Sequence, residues 1–271
     1  MKVLVIGATG MLGHVVHSYL SERAVKVFGA TRDKGGTYPV YCNLLERDSL
    51  ETAVELGCWD AVVNCAGIVT KIVPSCKPEE VMAVNGVAPH IMAEACARTG
   101  ARFIHISTDC VFSGKRGGYD ENDTPDATDL YGVSKLLGEV KSPSLTIRTS
   151  IIGPEIAKET TGLFEWFKKQ TLCWGFTNQI WSGVTTLQLA RTLYSLLLRP
   201  ETPRGILHVN TKPISKYELL NIINDEFQFG VKVDALAPPN GHDKSLCSYR
   251  GDLGIPDIRK QLQDLKAWMN K

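Results

Sequence analysis

The 271-residue chain predicts an α/β fold: a doubly wound parallel sheet over residues 1–150, followed by a smaller mixed C-terminal lobe over residues 151–271. Short continuous apolar runs alternate with amphipathic segments of helical period through the first 150 residues. That is the pattern of βαβ units whose strands are buried on both faces. The first apolar run ends directly in a glycine-rich turn, and beyond Ile151 the alternation loosens.

Residues 3–6 form the first strand, and Met11, Leu12, Val15, Val16, Tyr19 and Leu20 recur at helical spacing after it. Strands at 25–28, 39–42, 61–64, 102–107 and 145–148 follow, with helices at 48–56, 78–99 and 131–140 between them and a polar loop at 113–128. In the second half, helices are expected near 162–170, 186–198, 215–227 and 256–270, with strands at 205–209 and 230–233 and a loop at 237–241.

Composition narrows the function. Hydrophobic residues at 44% and charged residues at 22% are globular usage, which excludes intrinsic disorder as the main state. Thirty Lys plus Arg against 29 Asp plus Glu leaves a formal charge of +1, too balanced for a nucleic-acid or anionic-membrane binder, so the expected partner is a small molecule. The eight cysteines contain no CxxC pair, and His14, His17, His90, His105, His208 and His242 show no metal-ligand spacing. Reduced, buried thiols, no metal site and a cytoplasmic location are the expectation. No run has the length of a signal h-region or a membrane span.

The turn after the first strand carries Gly7, Thr9, Gly10, Met11, Leu12 and Gly13 in a GxxGxxG spacing and opens a helix, the arrangement of a Rossmann-type dinucleotide site. Glycines there permit a tight turn and a close approach of backbone N–H groups to a pyrophosphate at a helix N-terminus. The acid that would bind the ribose 2′-OH of NAD is missing after the second strand, and Arg32 stands near that place. A guanidinium suits a 2′-phosphate, so NADPH is favoured, with NAD as the lesser possibility.

Tyr131 and Lys135 lie four residues apart on one helical face. A lysine cation near a phenol favours the phenolate. Ser107, Thr108 and Asp109 close the fifth strand, at the carboxyl edge where open α/β sheets place ligands. With the glycine turn, Asn64 to Gly67, Asn85, Ala88, Pro89 and the run from Arg148 to Ser150, these segments resemble an extended short-chain dehydrogenase/reductase, and within it the dTDP-4-dehydrorhamnose reductase group. The resemblance covers about the first 150 residues in order.

The resemblance implies hydride transfer from a nicotinamide to a sugar C4 ketone, with Tyr131 giving a proton to the developing alkoxide and Thr108 hydrogen-bonding the same oxygen. Lys135 would tune Tyr131 and anchor the nicotinamide ribose. Asn43 and Leu44 match adenine-side positions, Cys65, Ala66 and Gly67 match a cofactor-lining segment, and Asn85 matches a helix asparagine. Asp109, Cys110, Val111, Ile151 and Trp181 are the expected substrate contacts beside Thr108 and Tyr131.

Departures from the pattern concern the substrate more than the reaction. Cys110 and Ile151 replace aromatic residues of the family, and His14-Val15 replaces an acid associated there with a metal at a dimer contact. A homodimer remains an expectation, without that metal. The expected substrate is a dTDP- or UDP-linked 4-keto-6-deoxyhexose or amino sugar. The alternatives are an NADP-binding regulatory subunit resembling the β subunit of methionine adenosyltransferase, and a nucleotide-sugar epimerase or dehydratase.

Overall fold

A computed structural model describes residues 1–157, 160–201 and 203–271. The first half runs β1 (Lys2–Ile6), α1 (Gly13–Ser21), β2 (Lys26–Thr31), β3 (Val40–Tyr41), α2 (Arg47–Glu55), β4 (Ala61–Asn64), α3 (Pro78–Met82), α4 (Ala88–Thr99), β5 (Arg102–Ile106), α5 (Leu130–Leu137) and β6 (Leu145–Arg148). The second runs β7 (Ile151–Ile152), α6 (Leu163–Phe167), β8 (Leu172–Phe176), β9 (Gln179–Trp181), β10 (Val184–Thr185), α7 (Thr186–Leu198), β11 (Gly205–His208), β12 (Ile214–Ser215), α8 (Lys216–Phe227), β13 (Lys232–Leu236), β14 (His242–Asp243) and α9 (Ile258–Met269).

Seven parallel strands form the main sheet in the order β11-β6-β5-β4-β1-β2-β3. The strand order reverses at β1, and the crevice beside the carboxyl ends of β1 and β4 is the switch point where such sheets bind ligands. Continuous apolar strands explain the double winding: Leu4, Val5, Val62 and Val63 are all fully buried. One sheet face packs against α1 and α7 through Val15, Val16, Leu20, Leu189 and Leu193. The other packs against α2 and α4 through Leu50, Val54, Met92 and Ala95.

Strand β11 corrects one expectation. Residues 205–208 pair parallel with β6 in the main sheet, and α7 covers that sheet, so the core draws on both sides of residue 150. A four-residue apolar run does not carry the identity of its partner, which long-range pairing decides. The remaining C-terminal elements enclose a separate core of Phe164, Phe167, Trp181, Leu219, Ile223 and Leu262.

The single helix expected over 78–99 is interrupted. A π-helical turn at Ala83–Val87 separates α3 from α4. Pro89 has no N–H for the Asn85 carbonyl and its ring would crowd it, and a π turn relieves both. The Asn85 carbonyl instead meets α5 at Gly138, where an added Cβ would lie 2.0 Å from it. Among the described residues no helix is long and apolar enough to cross a membrane.

Candidate active site

The phosphate turn is built by close backbone approach. Gly7 adopts φ +78°, and a Cβ there would lie 2.8 Å from that of Ala66 on the neighbouring strand's exit loop. A Cβ on Gly13 would lie 2.0 Å from the Gly7 carbonyl oxygen, and Gly10 N–H donates to that oxygen at 2.9 Å. Thr9 and Gly10 are exposed, no side chain caps the N-terminus of α1, and the His14 N–H donates to the Gly10 carbonyl at 3.2 Å, which closes the turn onto the helix. Leu12 is buried under the sheet, so it supports the turn and offers backbone only, while the Met11 side chain reaches Gly162 of the C-terminal half.

Arg32 follows β2 and is exposed at the sheet edge. Asn43 folds its side chain into a local turn: Oδ1 accepts the Leu45 N–H at 3.2 Å and Nδ2 donates to Glu46 Oε1 at 2.7 Å. Leu44 packs partly buried on the core beside it. Cys65 also packs on the core, and burial pushes its thiol up to about 12.

Helix α5 carries Tyr131 and Lys135 beneath the end of β5. Asp129 caps it, accepting the Gly132 N–H at 2.9 Å. Thr108 Oγ1 donates to Asp109 Oδ1 at 3.2 Å and accepts the Cys110 N–H at 3.1 Å, and it is near enough to Tyr131 to act on the phenol. Burial, with the nearby Cys110, Asp109 and Asp129, raises the phenol's pKa, against the opposing pull of Thr108. Tyr131 therefore holds its proton at neutral pH, the state a general acid needs. Lys135 is 5% exposed, and its Nζ donates to the Ile106 carbonyl at 2.7 Å. Burial brings its pKa down to about 8, opposed by Glu139 and Cys65. A Cβ on Gly67 would lie 3.8 Å from Lys135 Nζ, so the loop after β4 and helix α5 meet at the lysine.

Asn85 joins the same two segments. Its Oδ1 accepts the Ile68 N–H at 2.8 Å, and its Nδ2 donates to the Ile68 carbonyl at 2.9 Å and to Ser134 Oγ at 3.1 Å. Its amide is thus engaged by the protein, and it positions the cofactor-side loop.

On the substrate side, Asp109 and Cys110 sit in a 3₁₀ turn with Val111, whose side chain is fully buried in a small core with Phe112, Tyr119 and Leu246. Ile151 pairs with Val184 and packs on the main core. Trp181 is 3% exposed, gives its indole N–H to Ser150 Oγ at 2.9 Å, and lies in the lobe core, with Lys216 Nζ 5.5 Å over its ring. Burial raises the Asp109 pKa, against the pull of Lys216 and Lys244. His242 also feels Lys244, Lys216 and Asp109. Lys216, His242 and Lys244 were not among the residues expected from sequence: isolated basic residues outside any motif carry no local signal. His105, read as an ordinary core or surface imidazole, lies against Lys135.

A glycine turn at the switch point with a Thr, Tyr and Lys cluster beside it is the arrangement expected of a short-chain-type oxidoreductase. Residues 1–243 match the family model described as RmlD substrate binding domain, and the chain belongs to that family of nucleotide-sugar reductases. The spore coat polysaccharide biosynthesis protein SpsK of Bacillus subtilis is 32% identical over 238 residues, 83% of this chain and 79% of that protein. Methionine adenosyltransferase 2 subunit beta of Danio rerio is 29% identical over 251 residues, 83% of this chain and 74% of that protein. A hypothetical dTDP-4-dehydrorhamnose reductase of Sulfolobus tokodaii superposes with a TM-score of 0.79 at 28% identity, covering 92% of this chain and 93% of that one. The Bacillus anthracis dTDP-4-dehydrorhamnose reductase in complex with NADP shares the fold, with a TM-score of 0.82 at 22% identity and coverage of 98% and 99%.

Gly13→Ala is expected to weaken NADPH binding by about tenfold or more, because the methyl displaces the Gly7 carbonyl that shapes the turn. Quenching of protein fluorescence by NADPH measures it, with thermal melting to separate lost binding from lost fold.

Proposed function

We propose that this protein reduces the C4 ketone of a dTDP- or UDP-linked 4-keto-6-deoxyhexose with NADPH. The observation that carries the reading is the grouping of Thr108 with Tyr131 and Lys135, the last two one helical turn apart on α5, at the carboxyl edge of β5. When bound, the cofactor supplies the hydride. Residues 7–13 would hold its pyrophosphate, Arg32 its 2′-phosphate, Leu44 and the turn around Asn43 its adenine, and Cys65, Ala66, Gly67 and Lys135 its nicotinamide half.

The chain's own work is proton delivery and orientation. Thr108 and Tyr131 present two hydroxyls to one carbonyl oxygen, and Tyr131 gives its proton as charge develops there. Lys216 and Lys244 lie near Asp109 on the substrate side, two amino groups that would suit the diphosphate of a nucleotide sugar. In this reading the elements of residues 151–271 outside the main sheet form the substrate lobe, with Ile151 and Cys110 bounding the sugar and Trp181 backing Lys216.

A regulatory role is the second reading, favoured by the likeness to the methionine adenosyltransferase subunit over 83% of this chain. NADPH binding with no turnover on any nucleotide sugar, and stable capture of a methionine adenosyltransferase catalytic subunit, would select it.

The test follows NADPH oxidation against a panel of dTDP- and UDP-linked 4-keto-6-deoxy sugars. Tyr131→Phe should lower kcat by about 100- to 10,000-fold while sparing NADPH affinity. Lys216→Ala should raise KM for the nucleotide sugar by about tenfold, with NADPH affinity unchanged. Arg32→Ala should weaken NADPH by about tenfold and leave NADH binding as it was, measured by titration. Equal NADPH and NADH affinity in the unaltered protein would refute the Arg32 assignment.

A further inference from the structure

His105 is fully buried in β5, and its ring bridges two side chains. Nδ1 lies 3.1 Å from Asn64 Nδ2, at the end of β4, and Nε2 lies 3.4 Å from Lys135 Nζ on α5. The Asn64 amide is oriented by its other end, where Oδ1 accepts the Ala66 N–H at 3.1 Å. An amide nitrogen only donates, so ring Nδ1 is the acceptor and the neutral imidazole carries its proton on Nε2. That N–H points at Lys135. An ammonium has no lone pair to receive it, whereas an amine has one.

We propose that Asn64 and His105 form a tautomeric lock that presents an N–H to Lys135 and favours its amine form over its ammonium form. His105 and Asn64 are positioning residues in this scheme. Protonating Lys135 forces the ring proton to Nδ1, where Nδ1–H opposes the Asn64 N–H, so the two proton positions are coupled. Burial acts in the same direction on both groups, holding the His105 ring well below its ordinary range and bringing Lys135 to about 8.

The other groups acting on Lys135 are Glu139, just after α5, and Cys65, after β4, and its Nζ also donates to the Ile106 carbonyl at 2.7 Å; Tyr131 lies one turn earlier on α5, and His90 on α4 acts on the His105 ring. Tyr131 and Cys65 are uncharged at neutral pH, and Glu139 is already paired with Arg148. The lock is therefore the neighbour that can switch with the lysine.

Two-bond proton–nitrogen NMR of ring-15N-histidine protein, without cofactor or substrate, reads the tautomer directly. The expected result is the Nε2–H form above the Lys135 titration, with a change in ring shifts at a midpoint near 8. Asn64→Asp is the isosteric test, because a carboxylate accepts both Ala66 N–H and a ring Nδ1–H. It should turn the ring to Nδ1–H and raise the proton affinity of Lys135 by about tenfold, read from the lysine 13Cε titration. The high-pH limb of kcat should move with it, an arm that rests on the reductase reading; the NMR arms do not, so the two failures are distinguishable. An Nδ1–H ring from about pH 6 to about pH 10 in the unaltered protein overturns the proposal. So does an unmoved Lys135 titration in folded Asn64→Asp, and if that variant does not fold, the unaltered protein's ring decides.

Discussion

The buried ion pair between Arg148 and Glu139 sets the position of helix α5, which carries Tyr131 and Lys135. Both side chains are 4% exposed, and two contacts of 2.7 Å join guanidinium to carboxylate in a bidentate geometry. Burying such ions costs several kcal/mol each, and the pairing offsets this only where further hydrogen bonds complete the geometry. Here Ser107 Oγ donates to Glu139 at 2.9 Å, His208 Nε2 lies 3.4 Å from Arg148, and the Phe112 ring faces the guanidinium. The pair thus ties the ends of β5, β6 and β11 to the segment directly after α5. Anchoring Glu139, two residues past the last residue of α5, fixes the end of the helix that carries Tyr131 and Lys135. Removing either charge alone would leave the other buried and unpaired, at a cost of about 3–5 kcal/mol.

The opposite side of the helix is held by uncharged contacts. Gly138 lets α5 approach the π turn, and Asn85 in that turn binds both Ser134 and the loop carrying Gly67. The irregular turn therefore has a positional consequence: it spaces the cofactor-side loop from Lys135. Proline 89 generates this geometry by releasing one carbonyl, and glycine 138 makes room for it.

The first half of the fold was legible because its signals are local. Apolar runs, the GxxGxxG turn and the Tyr131–Lys135 spacing each lie within a few residues, and the order of the motifs implied their convergence. What stayed hidden depends on contacts distant in sequence. Strand β11 resembles any short lobe strand until β6 pairs with it. Asn43 reads as an adenine contact, yet its amide serves its own turn, and Val111 and Trp181 point into cores. His105 sits within an apolar run and reads as core; only the folded register shows Asn64 on one side and Lys135 on the other.

Cys110 stands beside Thr108 and Asp109 where the resemblance implies an aromatic residue. The family's phenol there is replaced by a thiol, but burial, reinforced by Asp109, pushes the thiol up to about 12, so it adds no nucleophile at neutral pH. The exchange removes a polar, aromatic contact without supplying new chemistry. Polarity on that side comes instead from Lys216 at the start of α8 and Lys244 after β14, both outside the strand-end motif. The Thr108, Tyr131 and Lys135 cluster thus draws on β5 and α5, beside the buried pair, whereas Lys216 and Lys244 come from C-terminal segments that meet it only in the folded state.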